Sequence, residues 1–207
     1  MLKIGEKPIL ELIIEAFIRD GFYNFFISTH YLPDVIKNHF GDGSRWGVKI
    51  RYIHEKTPLG TGGALGLLPH EEINESILVM NGDLLTTMDY RALLDYHNAH
   101  ASTATMCVRE YEQKIPYGVI QNRGNQIVSI IEKPVHKFFV NAGIYALSPE
   151  LVKSVSPEIR IDMPTLLEKA IKEEKQVTMY PLHEYWLDIG RVDDFNRAQT
   201  EIGGLLS

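Results

Sequence analysis

Strand-like and helix-like segments alternate through the first half of this chain, and that alternation limits the folds the chain can adopt. In order, the helical patterns and apolar strand-like runs occupy residues 8–21, 23–30, 33–40, 48–55, 77–81 and 88–100. Parallel strands are joined by long crossovers that are usually helices. This order therefore predicts a mostly parallel sheet with helices on both of its faces.

The alternation stops after residue 101. Four strand-like runs then follow one another: ATMCVREY, YGVIQN, QIVSIIEK and FFVNAGIYAL. The residues Arg123, Gly124 and Asn125 are typical of a hairpin turn. A helix, a strand and a closing helix are predicted at 162–174, 176–182 and 192–202. We therefore predict one α/β domain over residues 1–207, with a Rossmann-like sheet and an added antiparallel portion.

Charge and composition exclude several classes of function. The formal net charge of −6, with no Lys/Arg-rich run, argues against nucleic-acid binding. No apolar run approaches the length of a membrane span, and the N-terminus lacks the pattern of a signal peptide. The single cysteine, Cys107, lies in an alternating apolar stretch and is predicted to be a core thiol. We expect a cytoplasmic protein with no nucleic-acid or membrane partner, and a polyanionic small substrate stays compatible with this charge.

A lone carboxylate follows the apolar run at 77–80. The chain passes through Asn81 and Gly82 to Asp83, at the carboxyl end of a predicted strand. In open α/β sheets, ligands bind beyond such strand ends. A turn or a helix cap would also explain Asp83, although Thr87 and Asp89 are better placed to cap the next helix.

The stretch WLDIG repeats this arrangement, with Asp188 between apolar residues and a glycine. Magnesium commonly takes one or two protein carboxylates, and substrate phosphates and water complete its octahedron. We therefore predict that Asp83 and Asp188 converge on one Mg²⁺.

Glycines interrupt the apolar pattern elsewhere. LGTGGA, at 59–64, has three glycines just before a helical pattern, which would let a backbone approach a ligand closely. It is neither a Walker A loop nor a dinucleotide fingerprint. PYGVI, EKP and NAGIY interrupt the later strands with Gly118, the pair Glu132 and Lys133, and the pair Asn141 and Gly143. Taken singly, a flexible loop, a bulge and a solvated strand end explain these stretches equally well.

The order of these motifs is more specific than any one of them. LGTGGA, NGD, PYGVI, EKP, NAGIY and WLDIG, in that order, resemble the sugar-1-phosphate nucleotidylyltransferases, also called NDP-sugar pyrophosphorylases. The resemblance covers about residues 2–200. It implies the nucleotide-diphospho-sugar transferase fold, with a nucleotide-binding part at about 1–100 and a sugar-binding part at about 101–190. It also implies that a nucleoside triphosphate and a sugar 1-phosphate are joined to give an NDP-sugar and pyrophosphate.

The resemblance also implies roles for individual residues. Asp83, Lys133 and Asp188 match catalytic positions, the two aspartates as magnesium ligands and the lysine as the cation that meets the sugar phosphate. The implied substrate-binding positions are Leu59, Gly60 and Thr61 for the nucleobase, then Gly82, and Gly118, Glu132, Asn141 and Gly143 for the sugar. The glycine loop is most similar to that of the mannose-1-phosphate guanylyltransferases, which favours GTP. The sugar and the oligomeric state, homo-oligomers included, stay open.

The chain departs from the family at its start. Family members open with an apolar strand and a G-G-x-G-T-R-L-x-P-L-T loop, whereas MLKIGEKPIL matches the segment that follows these. We therefore expect a chain truncated at its N-terminus, with unpaired backbone groups, an open apolar flank and impaired catalysis. Arg191 and Ile131 replace the Thr and Phe that are common in the family. A non-catalytic subunit that senses nucleotide or NDP-sugar is the alternative, and a glycosyltransferase fits the motif order less well.

Overall fold

A computed structural model gives the architecture and describes residues 1–190 and 192–205, so that Arg191 lies outside the described residues. The strands are β1 (Lys3–Ile4), β2 (Lys7–Pro8), β3 (Asn24–Thr29), β4 (Lys49–His54), β5 (Ile77–Met80), β6 (Leu84–Thr86), β7 (Ala104–Lys114), β8 (Val119–Arg123), β9 (Gln126–Ile131), β10 (Val135–Leu147), β11 (Val177–Pro181) and β12 (Trp186–Asp188). The helices are α1 (Ile9–Arg19), α2 (Pro33–Phe40), α3 (Gly60–Gly63), α4 (Tyr90–Ala99), α5 (Pro149–Lys153), α6 (Met163–Lys172) and α7 (Val192–Leu205).

The strands form a mixed α/β architecture. The largest sheet has the order β11-β7-β10-β5, in which β11 runs parallel to β7 and the other two ladders are antiparallel. A second, parallel ladder joins β3 to β4. The pairs β1–β2, β6–β12 and β8–β9 form separate antiparallel ladders of two strands each. The predicted α/β class with an added antiparallel portion is confirmed.

Helices cover both faces, and β10 shows how. Ile144 and Ala146 of β10 pack in one buried cluster with residues of α1 and α4. Tyr145 and Leu147, which alternate with them, pack in a second cluster with residues of α5 and α6. Successive residues of a strand point to opposite faces, so a strand buried on both sides reads as a continuous apolar run.

Two strands that feed the same two clusters belong to different sheets. Phe25 and Phe26 of β3 pack on the first and second clusters respectively, and so do Leu78 and Val79 of β5. Within the described residues, β3 forms a ladder only with β4, and β5 only with β10. Each therefore has one edge without a backbone partner. All four residues of β5 are only half-buried, which agrees with its position at the edge of the largest sheet.

Several of the shortest elements were not predicted. The pair β1–β2, the strand β6 and the helix α5 are two to five residues long. Such segments are too short to show a periodicity of 2 or 3.6 residues. The glycine loop, which was expected to precede a helix, forms the single turn α3 followed by a 3₁₀ turn at Ala64–Leu67.

Two expectations from composition can be compared with the structure. Cys107 is buried, and burial raises the pKa of its thiol to about 12, so it is the inert core thiol that was predicted. No helix within residues 1–190 and 192–205 is long and apolar enough to cross a membrane. The cytoplasmic location stays a prediction.

Candidate functional site

Asp83 and Asp188 lie side by side. β6 and β12 pair so that Asp188 is opposite Leu84, and the backbone N–H of Ile189 donates to the Asp83 carbonyl at 3.0 Å. The position that a Cβ on Gly190 would take lies 3.1 Å from Asp188 Oδ1 and 3.6 Å from Asp83 Oδ2. Both carboxylates therefore border one small volume, which only a residue without a side chain leaves open.

Alternating burial aims Asp188 into this volume. Leu187 and Ile189 are buried, while Asp188 between them is exposed. Because successive strand residues point to opposite faces, anchoring the two apolar neighbours in the core turns the carboxylate outward. The buried residues Leu84 and Leu85 anchor the partner strand on both of its faces.

The carboxylate pair has no counter-charge in the part of the chain that the structure describes. Partial burial and the nearby charge of Asp188 raise the pKa of Asp83. Asp188 Oδ1 accepts a hydrogen bond from the Gly190 N–H at 2.9 Å, but no Lys or Arg of the described residues forms an ion pair with either carboxylate. No third His, Cys, Asp or Glu of these residues joins them as a metal cluster. Two adjacent, uncompensated carboxylates fit a cation such as Mg²⁺, whose other ligands would be phosphate and water.

A bulge in β10 places Asn141 and Gly143 beside the turn that carries Asp83. The register with β7 shifts between Asn141 and Tyr145, and Gly143 has a φ of +72°. The Asn141 amide bridges the bulge: its Oδ1 accepts from the Gly143 N–H at 2.9 Å, and its Nδ2 donates to Tyr145 Oη at 2.6 Å. A Cβ on Gly143 would lie 2.8 Å from Asn81 Nδ2. A side chain at 143 would therefore displace Asn81, which precedes Gly82 and Asp83.

Gly118, Glu132 and Lys133 lie at the open end of the β8–β9 hairpin. A Cβ on Gly118 would lie 3.0 Å from Glu132 Oε2, so the glycine leaves room for this carboxylate. Lys133 is exposed, has a φ of 45°, and forms no ion pair with the described residues. No hydrogen bond or ion pair within those residues ties the three to Asp83, Asp188 or Asn141. The structure thus brings the predicted sugar residues into two groups, one in the hairpin and one at the bulge.

The predicted nucleobase residues lie in the glycine loop, LGTGGA at residues 59–64. The Leu59 N–H donates to Glu55 Oε2 at 2.8 Å, and the Leu59 carbonyl accepts from the Ile161 N–H at 2.9 Å. The Thr61 N–H donates to Asp162 Oδ1 at 3.1 Å. The loop is therefore held at its first residue and at Thr61, and the N–H of Thr61 is already engaged inside the protein.

Sequence reasoning missed the residues that support these positions. Asp162 directly precedes α6 and looks like an N-cap, yet its side chain bonds the loop and not its own helix. Glu55 ends a predicted strand and Tyr145 is a core residue, so neither position shows a polar pattern of its own. Only the tertiary contacts connect them to the site.

Comparison with known proteins was made by family, by sequence and by structure. The family model described as "Nucleotidyl transferase" matches residues 1–203. The mannose-1-phosphate guanylyltransferase catalytic subunit beta of Danio rerio is 31% identical over 94% of this chain, and the mannose-1-phosphate guanyltransferase of Candida albicans is 30% identical over 94%. The chain spans 56% of the length of each.

Solved structures share the fold. HddC from Yersinia pseudotuberculosis, complexed with GMP-PN, superposes with a TM-score of 0.75 at 24% identity, covering 98% of this chain and 88% of that one. A putative glucose-1-phosphate thymidylyltransferase from Bacillus anthracis gives a TM-score of 0.74 at 20% identity, covering 96% and 84%.

Proposed function

We propose that this chain, which belongs to the nucleotidyl transferase family, carries the site of a sugar-1-phosphate nucleotidylyltransferase. The observation that carries the proposal is the pair Asp83 and Asp188, two carboxylates on one small volume without a cationic partner in the described residues. A divalent cation would offset this charge and would at the same time bind the phosphates of two phosphorylated substrates. The names of the sequence relatives support the same class.

The reaction needs positioning and charge neutralisation more than it needs a protein nucleophile. A phosphate oxygen of the sugar 1-phosphate attacks the α-phosphorus of the triphosphate, and the bond from that phosphorus to the bridging oxygen breaks as pyrophosphate leaves. Bound Mg²⁺, held by Asp83 and Asp188, would supply charge stabilisation to the phosphates. Lys133 would meet the sugar phosphate, while Glu132 and Asn141 fix the sugar for in-line attack.

GTP and mannose 1-phosphate are the first substrate pair to test. The relatives from Danio rerio and Candida albicans are named as mannose-1-phosphate guanylyltransferases or guanyltransferases. The glycine loop LGTGGA is similar to the loop of that branch of the family. We assign the nucleobase to this loop, at Leu59, Gly60 and Thr61.

A non-catalytic sensor of nucleotide or NDP-sugar is the second candidate. The observation in its favour is that no hydrogen bond or ion pair of the described residues links Lys133 to Asp83 or Asp188. A sensor would bind the same ligands and release no pyrophosphate.

Equilibrium binding to the chain tests whether it holds both halves of an NDP-sugar. We expect GDP-mannose to bind more tightly than GDP or mannose 1-phosphate alone, because one ligand then contacts the glycine loop and the sugar residues together. Calorimetric titration with a panel of NDP-sugars, with Mg²⁺ and with EDTA, measures this. If no NDP-sugar in the panel binds more tightly than its nucleoside diphosphate, the proposed site is wrong.

Lys133→Ala should act on one substrate only. In a form of the protein that turns over, we expect the KM for sugar 1-phosphate to rise about tenfold or more, since a hydrogen bond to a charged group is lost. The KM for the triphosphate should change less than about twofold. Steady-state kinetics with each substrate varied gives both values. Lys114→Ala, which removes another exposed lysine without a hydrogen bond or ion pair in the described residues, is the control. Equal rises in both KM values would contradict the assignment.

A further inference from the structure

The geometry points to Asp162 as a positioning residue that fixes the glycine loop, and so the nucleotide, from outside the loop. The inference rests on the proposed function, because it takes the loop to be the nucleobase site. It adds a residue to that site which lies 101 positions away in the sequence from its partner, Thr61.

Two reciprocal hydrogen bonds join the loop to the start of α6. The Thr61 N–H donates to Asp162 Oδ1 at 3.1 Å, and the Met163 N–H donates to Thr61 Oγ1 at 2.9 Å. A residue in the N-cap position usually accepts from the first turn of its own helix. Here Asp162 makes no such bond, and the hydroxyl of Thr61 accepts from the first N–H of α6 instead. Each segment thus satisfies a backbone donor of the other.

Gly60 shows how closely the carboxylate approaches the loop. It has a φ of +77°, and a Cβ there would lie 2.5 Å from Asp162 Oδ1 and 2.8 Å from the Ile161 carbonyl oxygen. A glycine-rich loop has few side chains with which to anchor itself and has large conformational freedom. Its conformation is therefore set by these contacts, by the bond from the Leu59 N–H to Glu55, and by the backbone hydrogen bonds that Leu59 and Gly62 form with Ile161.

The charge of Asp162 allows two effects of this side chain to be told apart: its hydrogen bond to Thr61 and the through-space effect of its negative charge. Asp162 is exposed and forms no ion pair with the described residues. A negative charge next to the binding site of a polyanionic nucleotide weakens binding through space. Any favourable effect of this side chain must therefore come from the hydrogen bond to Thr61. Removing the charge should therefore lower the Kd for GTP, whereas removing the hydrogen bond should raise it.

Binding by the full chain tests the inference. We expect Asp162→Ala to raise the Kd for GTP about tenfold, because the Thr61 N–H loses its acceptor. We expect Asp162→Asn to bind GTP at least as tightly as the unaltered chain, because its amide oxygen still accepts that hydrogen bond. The Kd for mannose 1-phosphate should stay the same in both variants, because Asn141 and Glu132 lie on other elements. Glu168→Ala, an exposed carboxylate on the same helix α6, is the control and should change neither Kd.

Amide hydrogen exchange at Thr61 provides a readout that does not depend on any ligand. Protection should fall in Asp162→Ala and be kept in Asp162→Asn. Thr61→Val keeps the shape but removes the acceptor for the Met163 N–H, and it should also weaken GTP binding. If Asp162→Ala does not fold, the binding and exchange measurements on Asp162→Asn and Thr61→Val decide.

Three results would overturn the inference. Tighter GTP binding in both Asp162 variants would show a charge effect alone. An unchanged Kd for GTP in Asp162→Ala, with faster exchange at Thr61, would show that the loop need not be fixed, while the proposed function would stand. Failure of the unaltered chain to bind GTP, GDP-mannose and mannose 1-phosphate would remove the proposed function as well.

Discussion

Asp83→Asn or Asp188→Asn is expected to lower turnover by about 10²–10³-fold in a form of the protein that makes NDP-sugar, as loss of one charged transition-state contact typically does. Each change keeps the size and hydrogen-bonding oxygen of the side chain but removes half of the negative charge that would hold the cation. The effect is measured as the rate of pyrophosphate release at the Mg²⁺ concentration that saturates the unaltered form, and again at a higher Mg²⁺ concentration.

Asp83→Asn should lose no thermal stability, and this separates an effect on catalysis from an effect on folding. The pKa of Asp83 is raised in the folded chain by burial and by the charge of Asp188. For an acid with a raised pKa, the stabilisation from the protonated form is lost as the pH rises through that pKa. At neutral pH the ionised pair therefore opposes folding, and Asp83→Asn should unfold at an equal or higher temperature than the unaltered chain.

Asp95→Asn is the matched control for the same chemical change. Asp95 is exposed on α4 and forms no hydrogen bond or ion pair with the described residues, so its loss should leave the rate unchanged. Full turnover in either Asp83→Asn or Asp188→Asn would contradict the two-carboxylate site. A loss of activity that follows a loss of thermal stability would also count against it.

The 207 residues alone are expected to release pyrophosphate about 10³-fold more slowly than a form that also carries a G-G-x-G-T-R-L loop ahead of residue 1. By resemblance to the family, such a loop would supply backbone donors and an arginine to the β- and γ-phosphates of the triphosphate. Positioning and charge stabilisation of this kind are worth several kcal/mol of barrier. Binding of NDP-sugar should be affected less, since an NDP-sugar has no γ-phosphate.

The unpaired edges of β3 and β5 give this comparison a second readout. Half-buried apolar residues on β5 and a free backbone edge favour self-association of the 207 residues. Light scattering against concentration should show more association for these residues than for the form with the loop. Equal rates of pyrophosphate release in the two forms would mean that another segment takes the place of the loop.

Sequence alone predicted the longer elements and the pairing of Asp83 with Asp188. The helices α1, α2, α4 and α6 and the strands β3, β4 and β5 show clear periodicity or apolar runs bounded by breakers. The two aspartates follow the same local rule, a lone carboxylate after an apolar strand, and their neighbours fix their direction. Such features depend on local sequence and can be read without the fold.

The supporting contacts could not be predicted, because they are long-range. Asp162 looks like a helix cap, and nothing near it in the sequence indicates Thr61 as its partner. The glycines of the loop suggested close approach to a ligand. In the structure, a Cβ on Gly60 would instead collide with the Ile161 carbonyl oxygen, and a Cβ on Gly63 with that of Ile159. A glycine pattern indicates that some group lies close to the backbone, but not whether that group is a ligand or another segment of the protein.

The split of the sheet is also a tertiary property. The sequence predicts β3, β4 and β5 as strands, but strand periodicity does not state which edges pair. The structure places β3 and β5 against the same two clusters, without a ladder between them in the described residues.

Product analysis tests the central claim most directly. The form that carries the loop is incubated with GTP, mannose 1-phosphate and Mg²⁺, then with other pairs of nucleoside triphosphate and sugar 1-phosphate, and the products are separated and quantified. The expected result is one NDP-sugar formed per pyrophosphate released for at least one pair, with both products lost in Asp83→Asn. Binding of an NDP-sugar with no product from any pair would contradict the enzyme and favour the sensor.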